Sequence, residues 1–173
     1  MIGRESAVQA SVRRRAGRAA CVGALVCAAL LARPATAHAD ATAFWGLSTA
    51  PVTRSSGGFA LGVGVLIIGF EFEYAHTAER TADAAPGVGT GMLNALVQTP
   101  TPHAQFYLTA GGGFYHESLN TQTDTGIGTN IGGGIKFALA GPIRIRLDYR
   151  VFSLHGARVD TPKRFYAGLN LAF

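Results

Sequence analysis

From Thr42 onward, apolar and polar residues alternate with a period of two. In "IRIRLDYRV" one face carries Ile143, Ile145, Leu147, Tyr149 and Val151, and the other carries Arg144, Arg146, Asp148 and Arg150. In "FEFEY", Phe70, Phe72 and Tyr74 oppose Glu71 and Glu73, and at the end Phe165, Ala167, Leu169, Leu171 and Phe173 share one parity. Successive side chains of a strand point to opposite faces, so this period predicts strands with two different environments. Eight such segments recur between turn signals, over 42–51, 58–66, 68–80, 90–100, 104–117, 126–139, 143–156 and 164–173. No run has the length and 3.6 period of an amphipathic helix.

The connections alternate in length. Those at 66–68, 100–104 and 140–142 are tight, whereas those at 52–57, 81–89, 118–125 and 157–163 are longer and more polar. Short turns at one end and long loops at the other predict an all-β, eight-stranded antiparallel up-and-down transmembrane barrel. A soluble sandwich would alternate in the same way. Two aromatic belts favour the barrel: Trp45, Phe106, Phe137 and Phe173 are expected near the tight-turn rim, and Tyr74, Phe114 and Phe165 near the loop rim, flanking an aliphatic band.

Residues 1–39 read differently. Arg13, Arg14, Arg15 and Arg18 precede an apolar run over 19–32, and Ala37 and Ala39 frame a small-x-small cleavage site. That run falls short of the roughly 20 residues of a spanning helix. The expectation is a signal peptide over 1–39 and one barrel domain over 40–173, exported through the periplasm, with both mature termini periplasmic.

Removing the signal changes the charge argument. The full chain is +5, but six of its fifteen basic residues and one of its ten acidic residues precede Asp40, which leaves nine of each. A neutral mature chain gives no argument for a nucleic-acid partner. Both cysteines, Cys21 and Cys27, also leave with the signal, so a disulfide framework and thiolate chemistry are excluded.

In a closed barrel the last strand pairs with the first, which accounts for a strand pattern running to Phe173. The set Phe165, Ala167, Leu169, Leu171 and Phe173 resembles the carboxy-terminal signal by which outer-membrane proteins are recognised for assembly. From Thr42 to Phe173 the chain resembles the outer-membrane β-barrel domain family of small eight-stranded proteins of the outer-membrane protein A, X, W and opacity types. The resemblance implies a monomer in the outer membrane of a Gram-negative cell envelope. Its partners would be membrane lipid and lipopolysaccharide, with periplasmic chaperones and the barrel-assembly machinery during biogenesis. It implies no cofactor and no metal.

Function has to come from the lumen and the loops. Eight strands leave an interior that side chains can fill. Alternation assigns Glu71, Glu73, Lys136, Arg144, Arg146, Asp148 and Arg150 to it as a nearly balanced charge network. The expected role is structural or surface-interacting and non-enzymatic, with a narrow porin-like solute channel as the alternative. The triplets Gly111–Gly113 and Gly132–Gly134 lie inside strands and are not phosphate loops. A hairpin centred on 121–122 would set them opposite each other, leaving room for Tyr107, Tyr115 or an arginine.

His76, His116 and His155 end strands on the loop side with outward parity, too far apart to share a metal, since alternate strands lie roughly 10 Å apart. With Arg80 and Arg158 they are expected to meet lipopolysaccharide phosphates. His116 and Ser118 also resemble the His-x-Ser element of outer-membrane lipid A deacylases, a remote enzymatic alternative, although that family carries it in its carboxy-terminal strands.

Overall fold

The computed structural model describes residues 37–158 and 161–173. Eight strands form a closed barrel in chain order: β1 (Ala37–Thr49), β2 (Thr53–Val65), β3 (Ile68–Thr77), β4 (Gly87–Gln98), β5 (Ala104–Leu119), β6 (Gln122–Ala140), β7 (Ile143–Leu154) and β8 (Lys163–Ala172). Each strand pairs antiparallel with the next, and β8 closes on β1 from Asp40↔Ala172 to Ser48↔Arg164. Closure leaves no free edge along the wall. Phe173 and Ala39 extend the seam by exchanging backbone hydrogen bonds of 2.9 and 2.8 Å.

The alternation decides which surface each strand turns inward. Large apolar side chains cover the outside, among them Leu61, Phe70, Leu93, Leu108, Ile131 and Leu169, all exposed. The inside holds Arg146, Arg150, Glu73 and Asp148, each 0 or 1% exposed. This barrel is inverted relative to a water-soluble protein, and the solvent its outer face requires is hydrocarbon.

Two expectations about connections are corrected. The predicted loop at 118–125 is a two-residue turn, Asn120–Thr121, between the longest strands, β5 with 16 residues and β6 with 19. Asn120 adopts φ 53°, a left-handed conformation that asparagine tolerates better than most residues. The loop at 52–57 likewise shrinks to 50–52, because β2 starts at Thr53. The longer connections are 78–86, with a short 3-10 turn at Thr81–Asp83, and the one after Leu154.

The turn at Asn120–Thr121 also moves the hairpin centre by one residue. Gly111 pairs with Asn130, Gly113 with Gly128 and Gly134 with Tyr107, so the glycine triplets are offset rather than opposite.

The aromatic belt needs one correction. Phe106, Phe137 and Phe173 lie toward the tight-turn end, and Tyr74, Phe114 and Phe165 toward the loop end, all exposed on the outer face. Trp45 is exposed too, but it sits four residues from the loop-side end of β1 and eight from the other. The strand begins at Ala37 rather than Thr42, which moves Trp45 away from the tight-turn rim.

Candidate functional site: the filled lumen

Alternate residues of β3, β7 and β8 bring six charged groups into one buried cluster. Arg150 donates to Glu71 (Nη2 to Oε1, 2.7 Å) and to Asp148 (Nε to Oδ1, 3.0 Å), and pairs with Glu73 at 3.2 Å. Arg146 donates to both oxygens of Glu71, with Nη2 3.2 Å from Oε1, and to Asp148 Oδ2 at 2.9 Å. Arg164 reaches Glu73 at 3.0 Å. Three carboxylates therefore meet three guanidinium groups. Burying a charge is tolerable only when it is paired and hydrogen-bonded, and this balance meets that requirement.

Two tyrosines complete the cluster. Tyr107 donates to Asp148 Oδ2 and accepts from Arg146 Nε at 2.7 Å, with the guanidinium 4.8 Å from its ring centroid. Tyr166 donates to Glu73 Oε2 at 3.1 Å and stacks on Phe44 at 4.0 Å.

Toward the tight turns lies a second, smaller pair. Lys136 of β6 bonds Asp40 of β1, and beside it Asn170 donates to Thr42 at 2.8 Å. Arg144 is a correction to the expected network. It is half-buried and reaches only Gln105, at 3.4 Å, with no carboxylate partner among the described residues. Tyr107 faces the lumen as the sequence suggests, whereas Arg164, Asp40 and Tyr166 were missed, although Arg164 and Tyr166 share inward parity on β8.

Toward the loops the filling changes character. Val88, Met92, Tyr115, Phe152, Leu154 and Ala157 form a buried apolar cluster, and the Arg164 guanidinium, 4.5 Å from the Phe152 ring centroid, joins it to the charges. The inner face of β6 makes room for it. A methyl group on Gly126 would meet the Tyr115 hydroxyl at 2.6 Å, one on Gly128 the Leu154 side chain at 2.7 Å, and one on Gly132 the Arg150 stem at 2.8 Å. The glycines of β6 thus give up their volume to larger neighbours. Above this layer, buried Arg54 donates to the carbonyls of Ala78 (3.0 Å), Ala50 (3.1 Å) and Pro86, tying two connections together.

The loop-side residues singled out in the sequence are dispersed. His76, His116 and His155 are exposed, and His116 Nδ1 lies 3.0 Å from Thr125 Oγ1 on the next strand. Arg80 pairs with Asp83 at 3.3 Å, and Arg158 donates to Gln122. The residue between His116 and Ser118 turns the other way: Glu117 is buried and accepts the Arg158 backbone N–H at 2.9 Å.

The wall resembles known barrels. The N-terminal β-barrel domain of Pseudomonas aeruginosa OprF matches with a TM-score of 0.62 at 15% identity, over 79% of this chain and 97% of that one. Neisserial surface protein A matches with a TM-score of 0.59 at 15% identity, over 82% and 100%. The chain has the fold of the small eight-stranded outer-membrane barrels. A third such barrel, the Yersinia pestis outer membrane protein Ail in a phospholipid bilayer nanodisc, matches with a TM-score of 0.52 at 13% identity, over 80% and 100%. No protein-family profile and no curated protein sequence matches the chain.

Proposed function

We propose that this chain is a non-enzymatic, non-conducting integral outer-membrane barrel with a structural or surface-interaction role. The observation that carries this reading is the pair of unlike layers in the lumen. A conducting path would have to cross both the ion-paired cluster around Arg146 and Arg150 and the apolar cluster around Phe152 and Met92. The first resists opening because separating its charges strands them, and the second offers water little, since its one side-chain hydroxyl, on Tyr115, already donates to the His155 carbonyl at 2.8 Å.

The surroundings follow from the outer face. Its aliphatic band and aromatic rims are suited to membrane lipid and lipopolysaccharide, and the alternating ending at Phe165, Ala167, Leu169, Leu171 and Phe173 to the barrel-assembly machinery and its periplasmic chaperones. The protein acts as a monomer, with the longer connections outside and the tight turns in the periplasm.

Residues 1–36 lie outside the described residues, and signal cleavage after Ala39 belongs to the same reading. It would leave β1 as 40–49 and keep its pairs with β8 from Asp40↔Ala172 onward. Solute uptake by proteoliposomes tests the whole proposal: no swelling beyond that of empty vesicles is expected, and size-dependent uptake of small sugars would overturn it.

A further inference from the structure

On the outer wall over β2 to β5, one stretch is sunken. A groove of about 580 Å³ lies there, with Val63, Phe70, Phe72 and Leu93 standing around it and Ala95 and Ala110 low between them. Glu71 and Asn94 also border it, but their side chains are buried in the lumen, which leaves the lining almost wholly apolar. Its depth follows from the register. The row of paired residues through Ala95 and Ala110 starts at Ala39, near the tight-turn end of β1, and finishes at Lys163, the loop-side end of β8. Since β4 and β5 are halfway along that climb, the groove lies near the middle of the wall.

The two ends of the groove differ. One row nearer the tight turns, Val97 and its partner Leu108 are bulky and exposed, and they close it. Toward the loops it stays open. Gly112, paired with Leu93, leaves the way past that side chain clear, and a methyl group on Gly91, between Tyr74 and Phe114, would meet nothing within 4 Å. Gly91 and Ala95 are four residues apart on one strand, roughly 13 Å, and half of the hydrocarbon core is roughly 15 Å. The groove thus runs from the loop-side aromatic rim to the midplane, the depth of one leaflet.

That shape selects the occupant. In hydrocarbon, covering apolar surface gains nothing by itself, and only closer van der Waals contact than loose lipid makes favours one partner over another. A helix crossing the membrane runs its full height and would ride up on Val97 and Leu108. A single flexible chain that enters at the rim and stops at the midplane fits. We propose that the groove holds one fatty-acyl chain of a lipopolysaccharide molecule, seated on Ala95 and Ala110 and leaving between Tyr74 and Phe114. Two residues beyond that exit on the same outer face, His76 and His116 stand on either side of Gly89, at the level of the lipid's phosphates.

The choice of lipopolysaccharide rests on the proposed function, which sets the longer connections outside and so makes the leaflet at that rim the outer one. The test is separate from that reading, because retention on the outer wall is the same whether or not the lumen conducts. Native mass spectrometry of the barrel, folded in detergent with lipid A as the probe, counts the lipid that stays bound. One lipid A should be retained per barrel. Ala95→Phe and Ala110→Phe each fill the floor and should weaken retention by about tenfold or more, as lost van der Waals contact along a chain adds up. Ile145→Phe, exposed on the opposite wall, should leave it unchanged.

Ala95 and Ala110 are exposed, so the replacements need no room inside the barrel, and heat-modifiable migration checks that each variant folds. If one does not, the other decides the matter. Phosphatidylethanolamine at equal concentration should not displace the probe. No retained lipid A, undiminished retention by the filled variants, displacement by the phospholipid, or a dimer joined at this face in place of lipid would overturn the proposal.

Discussion

Arg150 on β7 meets Glu71 on β3 across the lumen, Nη2 2.7 Å from Oε1, though 79 residues separate them in the chain. The contact links opposite walls of the barrel. Arg146 spans the same gap to the same carboxylate, so Glu71 is held by two guanidinium groups at once.

Removing one partner should therefore cost more than removing two. Arg146→Leu leaves Glu71 and Asp148 short of a cation, and breaking a buried pair in this way is expected to cost about 3–5 kcal/mol. Adding Glu71→Gln should restore much of that loss. Reversible unfolding in lipid vesicles measures both variants, and a double variant no more stable than the single would count against the pairing.

A charge on the outer face should fail without such rescue. Leu93 is exposed near the middle of β4, and Leu93→Arg sets a guanidinium against hydrocarbon at a cost of about 2–4 kcal/mol near the midplane. The same unfolding measurement should show no recovery when a lumen carboxylate is neutralised as well.

The faces were legible in the sequence because β3 from Phe70 to Tyr74 and β7 from Ile143 to Val151 alternate without interruption. The apolar half of the lumen was not. Phe152 and Leu154 lie on the inward parity that Arg146, Asp148 and Arg150 establish, so a rule of polar inside and apolar outside passes over them. Asp40 is hidden for another reason: the alternating pattern starts only at Thr42, and a residue at an expected cleavage site does not read as part of a wall. Arg164 could have been found, since the parity that turns Phe165 outward turns it inward. The hairpin register depended on one backbone choice at Asn120, which propensity alone does not fix.

Two glycines should respond in opposite ways to the same substitution. Gly126→Ala drives a methyl group against the Tyr115 hydroxyl, and overpacking of this kind costs about 1–3 kcal/mol. A methyl group on Gly91 meets nothing within 4 Å, so Gly91→Ala should be neutral or stabilising by about 0.4–1 kcal/mol. Equal losses in vesicle unfolding would contradict the tight packing assigned to β6.

Phe173→Glu should reduce the yield of folded, heat-modifiable barrel while leaving export to the periplasm intact. The exposed ring at the tight-turn rim is lost, and with it the proposed assembly pattern, whereas the proposed amino-terminal signal is unchanged. Wild-type levels of folded barrel would remove the role given to that ending.

Single-channel recording in planar bilayers tests the closed lumen most directly. The ion-paired cluster around Arg146 and the apolar cluster around Phe152 together predict a flat baseline in repeated reconstitutions of correctly folded protein. Discrete, reproducible conductance steps that scale with salt would show an open path through both layers and contradict the account.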